Sequence, residues 1–435
     1  MFSKYSFSKN RMAASLDSYY LATAIGQRAR PRLKGTHETD VCVVGAGYTG
    51  LSTALHLAKS GLKVAVLEAE YAGFGASGRN GGQVITGQRV DQIELERRYG
   101  LTHARALWNS ALEAKTLVRA LIAAHEIDCD VAPGHLSAAA KPAHAAALAQ
   151  AAAHLERNYG HTTRFVDKKD MPALVATENY HGGILDRASF YLHALNYALG
   201  LARACDEAGV AVFEGSRARR IRHGDGARAT TDEGDVRAHH FVVACDGYLG
   251  DLVPELARRI VPIKNYIIAT APLGPERAGA LIPCGAAVAD TKFVLDYYRL
   301  SADGRLLFGG GETYGSQDVA GVDRFVRRYM LRVFPQLEDV AIDYAWGGNV
   351  AITLPRMPHI GRLKPNVYFA QGYSGQGVAI ATLAGKLIAE AVAGQTSRFD
   401  VYESLKIPPM PGGIWLQEPL AALGMLWYAL RDRLG

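Results

Sequence analysis

The chain has 435 residues, 49% of them hydrophobic and 21% charged, the composition of a globular protein with core enough for two or three domains rather than of a disordered or fibrous polymer. Its formal charge of +6 is the difference between 48 basic and 42 acidic residues scattered along the chain. That lacks the clustered positive charge of a nucleic-acid binder and at most favours an anionic small molecule. Five cysteines, Cys42, Cys129, Cys205, Cys245 and Cys284, form no CxxC pair and are odd in number, as expected of apolar fillers in a reducing cytoplasm.

Residues 1–37 read as a polar arm without the apolar stretch of a secretory signal, with Tyr19 and Tyr20 as anchors. Residues 41–44 are a β-branched run suited to a strand covered on both faces, and from Leu51 the apolar period becomes helical. Between them lies a GxGxxG turn. Gly45 permits the tight turn and Gly47 lets the amides around Tyr48 and Thr49 approach a pyrophosphate, while Gly50 brings helix against strand. A second buried strand, 62–67, ends in Glu68 and Ala69, which puts a carboxylate about 20 residues beyond the glycines to accept ribose hydroxyls. No Arg stands beside it, so NADP is disfavoured while FAD and NAD remain. The next loop, 73–83, is too rich in glycine for helix or strand and suits backbone laid against a flat or charged ligand. Ser77 and Arg79 fall near phosphate in this reading, and Asn80 to Gln83 near a ring.

Helical patterns follow over 91–128, with Leu107, Leu112, Leu117, Leu121 and Ile122 as core positions, and over 138–155, with Pro142 in the first turn. A further helix, 192–207, leads to a strand at 210–214, a small antiparallel excursion turning at 224–226, and a buried strand at 241–248 containing Ala244 and Gly247. Past Pro262 the texture is β. Strands are expected at 266–270, 293–300, 306–308 and 342–346, with Gly309, Gly310 and Gly311 ending the third and a helix at 322–333. Residues 366–378 then repeat the opening design of strand, glycine turn and helix, with Gly372 and Gly375 in the turn. A second amide-rich turn roughly 330 residues after the first suits one long ligand touching both, and FAD is such a ligand. The apolar stretch 420–430 is about half of the ~20 residues needed to span a bilayer, which leaves a docked terminal helix or an interfacial one but no stable insertion.

These pieces together resemble the D-amino-acid-oxidase-like, glutathione-reductase-2 type of FAD-dependent oxidoreductases over about residues 38–400. The loop Gly75-Ala76-Ser77-Gly78-Arg79-Asn80-Gly81-Gly82, the block Leu295-Asp296-Tyr297-Tyr298-Arg299-Leu300, the turn expected at Trp346-Gly347-Gly348, Gly372-Tyr373-Ser374-Gly375 and the tail Pro411-Gly412-Gly413 are similar to the branch that oxidises gamma-glutamylputrescine. The resemblance implies a mixed α/β and α+β fold. A Rossmann-like FAD-binding domain would be built from 38–90, 185–262 and 345–400, with a discontinuous antiparallel-sheet substrate domain from 91–184 and 263–344 and a tail from 401–435. By motif Gly45, Gly47, Gly50 and Glu68 would hold the dinucleotide. Ser77, Arg79, Asn80, Gly81, Gly82 and Gln83 would line phosphate and flavin, Ala218 would lie near the adenine, and Gly375, Gln376, Gly377 and Val378 would present amides to the flavin, with Gly348 close by. Two positions depart from the pattern: Gln376 stands where relatives usually carry His, and Ala194 follows His193 where a His-Pro pair is usual. No cysteine falls in a loop that tethers flavin in relatives, so FAD is expected without a covalent bond.

The implied chemistry is loss of a hydride from the amine-bearing carbon to the flavin, hydrolysis of the imine to an aldehyde and reduction of O2 to H2O2, with gamma-glutamylputrescine or a similar polyamine derivative as substrate. It needs positioning and charge stabilisation rather than a metal or a nucleophile. Tyr298, Trp346 and Tyr373 are the expected walls of the reacting centre, and Tyr266, Tyr297 and Arg299 the expected substrate contacts. If 293–300 is a strand, one of Tyr297 and Tyr298 faces inward. Arg356 is a second candidate for a substrate carboxylate and Lys264 for a positive charge near the flavin, whereas His193 reads as a packed or capping residue. Two alternatives remain: a D-amino-acid or secondary-amine dehydrogenase passing electrons to a membrane carrier, and a flavin-carrying protein without turnover. The oligomeric state stays open.

Overall fold

The apolar run that opens the sequence motif forms the centre of a sheet because both of its faces are covered. In the computed structural model, which describes residues 18–224, 226–313 and 319–411, the strand Gly35–Val44 pairs in parallel with Val64–Leu67 on one side and Gly234–Val243 on the other. Val41 and Val43 point into a core shared with Leu51, Leu55, Tyr197, Ile380 and Leu387 from three helices, Tyr48–Lys59, Ala194–Glu207 and Gly377–Val392. Cys42 and Val44 point the other way, into a layer with Phe241, Leu249 and Leu256. The sheet runs His359–Lys364, Val367–Gln371, Gly234–Val243, Gly35–Val44, Val64–Leu67, Ala211–Phe213, and only the first of these is antiparallel to its neighbour. The small excursion is the hairpin Arg220–Arg222 with Arg228–Thr230, on the edge of Gly234–Val243.

A second sheet follows the order Ile342–Ile352, Val261–Thr270, Leu306–Thr313, Tyr297–Leu300, Ala287–Asp290, Ala132–Ala138, Gly182–Tyr191, Gln83–Val84. It is antiparallel apart from the pair Ala132–Ala138 and Ala287–Asp290, and the helix Val322–Val333 covers one face. Here the structure departs from expectation in three places. The strand expected from residue 293 starts only at Tyr297; Gly309, Gly310 and Gly311 do not end a strand but lie inside Leu306–Thr313; and Trp346-Gly347-Gly348 is no turn but the middle of Ile342–Ile352. The glycines are there to make room for rings on neighbouring strands. A Cβ on Gly309 would collide with the ring of Tyr297, and one on Gly347 would come within 2.8 Å of the Tyr266 ring. The strands Gly182–Tyr191 and Ile342–Ile352 each run across an expected domain boundary, at 185 and at 345, and pair on both sides of it in this second sheet.

The helix expected over 91–128 is two helices, Gln92–Tyr99 and Leu101–Ala124, broken at Gly100, whose φ of 78° lies in the left-handed region. Leu107 and Leu121 are buried as expected, while Leu112, Leu117 and Ile122 are half-buried. The alanine-rich helix runs Pro142–Tyr159 with Pro142 in its first turn, and all five cysteines are free thiols. No helix among the described residues is long and apolar enough to cross a membrane. The apolar stretch 420–430, the tail from Gly412 and Asp225 lie outside the described residues.

The arm is tied down by a buried cation. Tyr19 and Tyr20, in the short helix Tyr19–Ala22, are buried, and the hydroxyl of Tyr20 accepts a hydrogen bond from Arg299 Nη2 at 3.0 Å. Arg299 also donates to the carbonyls of Gly81 (2.9 Å), Leu192 (3.0 Å) and Leu300 (3.0 Å), so one side chain joins the arm, the glycine loop, the second sheet and the lead-in to Ala194–Glu207. Arg299→Leu strands these carbonyls in the interior, at about 1–3 kcal/mol for each acceptor left unsatisfied. The expected outcome is a loss of about 3 kcal/mol or more in urea unfolding of the FAD-loaded protein; a loss below 1 kcal/mol would mean that the clasp contributes little.

Candidate active site

The first glycine turn is assembled from close backbone approaches. Gly45 has φ 106° and donates its N–H to the Leu67 carbonyl at 2.8 Å, and a Cβ on Gly50 would run into the Gly45 carbonyl. A Cβ on Gly47 would come within 2.8 Å of Ser77 Oγ, which accepts the N–H of Tyr48 at 2.9 Å. Ser77 therefore stands at the N-terminus of Tyr48–Lys59, where the helix presents amides and partial positive charge. Glu68 lies at the end of the second strand, its carboxylate accepting from the amides of Ala46 (2.8 Å) and Glu70 (2.9 Å). Burial raises its pKa against the pull of those amides.

The glycine loop braces itself. Asn80 Nδ2 donates to the carbonyls of Ala76 (2.9 Å) and Ser77 (3.0 Å), and Oδ1 accepts the Gly82 N–H at 2.7 Å. Arg79 donates to the carbonyls of Phe74 (2.8 Å) and Gly347 (3.1 Å), which fastens the loop to the second sheet. In the second turn Ser374 (φ 53°) and Gly375 (φ 90°) adopt left-handed backbone before the helix Gly377–Val392 starts. Gln376 Nε2 donates to the Gly87 carbonyl at 2.7 Å.

Both turns open into one cavity of about 890 Å³, near the upper end of the usual 300–1,000 Å³ for cofactor and ligand sites. Gly45, Gly47, Tyr48, Thr49, Glu68, Ala69, Gly75, Ala76, Ser77, Arg79, Asn80, Gly81, Gln83, Ala218, Ala244, Tyr297, Gly348, Tyr373, Gly375, Gln376, Gly377 and Val378 all line it. Gly50, Gly82, Gly247 and Gly372 do not. They sit behind the lining, where a Cβ would meet the Gly45 carbonyl, the Leu192 carbonyl, Asn349 and Thr353 respectively. Tyr373 contributes to the wall while its hydroxyl is engaged by Thr49 Oγ1 at 2.6 Å.

Four of the expected wall and substrate-contact residues do not line the cavity. Tyr298 alternates with Tyr297 on Tyr297–Leu300 and so faces the other side of the sheet, stacked on Phe308 at 5.4 Å with its hydroxyl donating to Tyr180 at 2.9 Å. Trp346 packs behind the loop against Tyr20, and its Nε1 donates to the Arg79 carbonyl at 3.1 Å. Tyr266 lies in the core beside Phe325, its hydroxyl 2.9 Å from Thr313 Oγ1. Arg299 is committed to the clasp already described and reaches no cavity surface. Tyr297 is the inward ring of the pair, donating to Asn265 Oδ1 at 2.5 Å. His193 caps its helix, accepting the Asn196 N–H at 3.0 Å, and Lys264 is on the strand Val261–Thr270 without lining the cavity.

The cavity also has lining that sequence patterns did not single out: Arg89, His135, Asn265, Phe293 and Glu312, and the ion pair of the half-exposed Lys292 with the buried Asp290, 2.7 Å between Nζ and Oδ2. Burial pushes His135 down to about 4, which keeps its imidazole neutral, and pushes Asp246, whose carboxylate accepts the Gly372 N–H at 2.7 Å, up to about 6. None of these lies in a local motif. Arg356, considered from sequence, does line the cavity, with its guanidinium 4.4 Å over the Phe293 ring.

The donor set fits FAD. A carboxylate sits where a ribose would be held, two helix N-termini face one cavity, and the Gly47 position has no room for a side chain beside Ser77.

Residues 40–391 match the family model described as FAD dependent oxidoreductase. Gamma-glutamylputrescine oxidoreductase of Escherichia coli (strain K12) is 44% identical over 425 residues, covering 98% of this chain and 100% of that protein. A probable oxidoreductase, OrdL, of Rhizobium meliloti (strain 1021) is 39% identical over 420 residues, 96% of this chain and 97% of that one. Among solved structures, glycine oxidase from Geobacillus kaustophilus shares the fold with a TM-score of 0.70 at 22% identity, over 87% of this chain and 98% of that one. Because the family match runs from the first glycine turn through the second, this chain belongs to the D-amino-acid-oxidase-like FAD-dependent oxidoreductases, enzymes that bind FAD.

Proposed function

We propose that the protein is an oxidase of gamma-glutamylputrescine or a similar acylated polyamine, with FAD held non-covalently and O2 as electron acceptor. The observation that carries this reading is the 44% identity, end to end, with the Escherichia coli protein named for that substrate. Bound FAD supplies a hydride acceptor for the carbon that bears the amine, and the resulting imine hydrolyses to the aldehyde.

The chain's own part is positioning. Glu68 would take the ribose hydroxyls, and the amides after Gly47 and Gln376 would meet phosphate and ring. Tyr297 would wall the amine site with a phenol that burial holds well above the ordinary tyrosine value. A neutral phenol bonded to Asn265 offers the amine no counter-charge to keep it protonated, which suits a reaction that starts from the neutral amine. Cys245, the cysteine on the cavity wall, is pushed up to about 12 by burial, with its Sγ 3.4 Å from the Val44 carbonyl. A thiol so disfavoured as thiolate suits a flavin without a tether.

The decisive experiment is an anaerobic screen in which the yellow protein is mixed with gamma-glutamylputrescine, putrescine, spermidine, sarcosine and D-amino acids. Gamma-glutamylputrescine is expected to bleach the flavin, and admitting air to restore the colour with one H2O2 per turnover. Bleaching by sarcosine or a D-amino acid but not by gamma-glutamylputrescine would replace this reading. Glu68→Ala is expected to lower the flavin-to-protein ratio after gel filtration; an unchanged ratio would remove Glu68 from the site. The adjacent tyrosines separate wall from core. Tyr297→Phe leaves Asn265 Oδ1 unpaired and is expected to slow anaerobic bleaching about tenfold, the scale of one buried hydrogen bond. Tyr298→Phe is expected to lower unfolding stability by about 1 kcal/mol with the bleaching rate unchanged.

A further inference from the structure

The last described residues lead the chain onto the wall of the cavity. Ile407 is buried and its carbonyl accepts from Arg259 Nη1, and the Met410 N–H donates to the Arg258 carbonyl at 2.8 Å. Met410 is buried with Ile263 and packs against Ile352, and both isoleucines line the cavity. After Pro411 come Gly412 and Gly413, which let the chain turn freely, and then the apolar triplet Ile414-Trp415-Leu416. Trp415 stands five residues beyond Met410, a reach of at most about 18 Å for extended chain. Arg356 is four residues beyond Ile352, in a turn where its N–H donates to the Thr353 carbonyl at 3.0 Å, and its guanidinium lies over the Phe293 ring. That part of the wall is therefore within reach of Trp415.

What lies there suits an apolar segment. Phe293, Leu295, Val350 and Ile352 line the cavity and are only half-buried, while Asp91, Gly250 and Asp251 on the same lining are exposed, so the described residues leave the cavity open to water. Tyr248, Phe293 and Arg356, all on the lining, each have a partner that is not among the described residues.

We propose that Ile414-Trp415-Leu416 seats on this apolar rim and closes the mouth of the cavity, so that the chain's own tail shields the bound flavin from bulk water. The inference rests on the FAD site and not on which amine is oxidised. Closing the mouth strengthens every electrostatic contact made to the ring and keeps water from the reacting centre until product leaves. A second copy of the chain and a lipid surface are the competing destinations for the same apolar triplet, and the test separates them.

The test reads tail and flavin without turnover. In the FAD-loaded wild-type protein, chymotrypsin is expected to cut after Trp415 at least about tenfold more slowly than in a free peptide of residues 408–420, because cleavage tracks the population of the open form. Equal rates overturn the proposal before any variant is made. In Trp415→Ser, quenching of the flavin fluorescence by iodide is expected to become at least about threefold more efficient with the flavin-to-protein ratio unchanged, as a site opened to water requires, while Trp415→Phe stays near the wild-type value. Unchanged quenching in Trp415→Ser overturns the proposal. It does so equally if that variant instead falls to a lower sedimentation mass, the sign of a lost contact between copies, or loses binding to vesicles of anionic lipid, with quenching unchanged in either case. Failure of the amine screen would sink the oxidase reading while these measurements stood, so the two ideas fail separately.

Discussion

One helix is held between two backbones at contact distance, and the site depends on it. Tyr48–Lys59 meets the first strand through Gly50, where any side chain would strike the Gly45 carbonyl, and meets Gly377–Val392 through Gly385, where a Cβ would come within 2.5 Å of the Thr49 carbonyl and 2.6 Å of Ser52 Cβ. The same seam is sewn by Ser52 Oγ donating to the Thr382 carbonyl at 2.6 Å and by the Thr49 to Tyr373 hydroxyl contact at 2.6 Å. Two helices this close, each opened by a glycine turn, bring their N-termini to one cavity. The ends of the nucleotide-binding half are far apart in sequence, and this packing is what makes them a single site.

Much of that half was legible in the chain because its determinants are local. A β-branched run, glycines at fixed spacing, a helical period and a terminal acid all lie within 28 residues, from Val41 to Glu68, and each depends on its neighbours in sequence. The second sheet was less legible because its determinants are not local. Gly309 and Gly347 read as turn residues, yet they are strand positions cleared for Tyr297 and Tyr266 on adjoining strands. Even Gly385, which decides the helix seam, is one glycine in an alanine-rich helix, and nothing around it says what backbone it must admit.

The side chains of the cavity follow the same division. Arg299 stands in a motif and looked like a ligand for substrate, but its donors are spent on three carbonyls and a tyrosine. Arg89 stands in no motif, yet lines the cavity half-buried, with no hydrogen bond to a described residue. Whether a buried cation is structural or available is decided by what lies around it in space, and the count of its unspent hydrogen bonds is the physical quantity that separates the two.

Tyr297 shows how the two halves act on one another. Its ring fills space kept open by Gly309 on the neighbouring strand and by Gly81 in the cofactor loop, where a Cβ would come within 2.9 Å of Cε2. The loop at Gly81 is in turn gripped by Arg299, one residue beyond Tyr298 on the same strand. A shift of that strand by one residue would put Tyr298 in the cavity and swing Tyr297 into the core. Loop and strand therefore fix one another's register, and the Tyr297 ring that lines the cavity is positioned by the same contacts that position the glycine loop. The geometry around Tyr297 is therefore set when the two sheets pack.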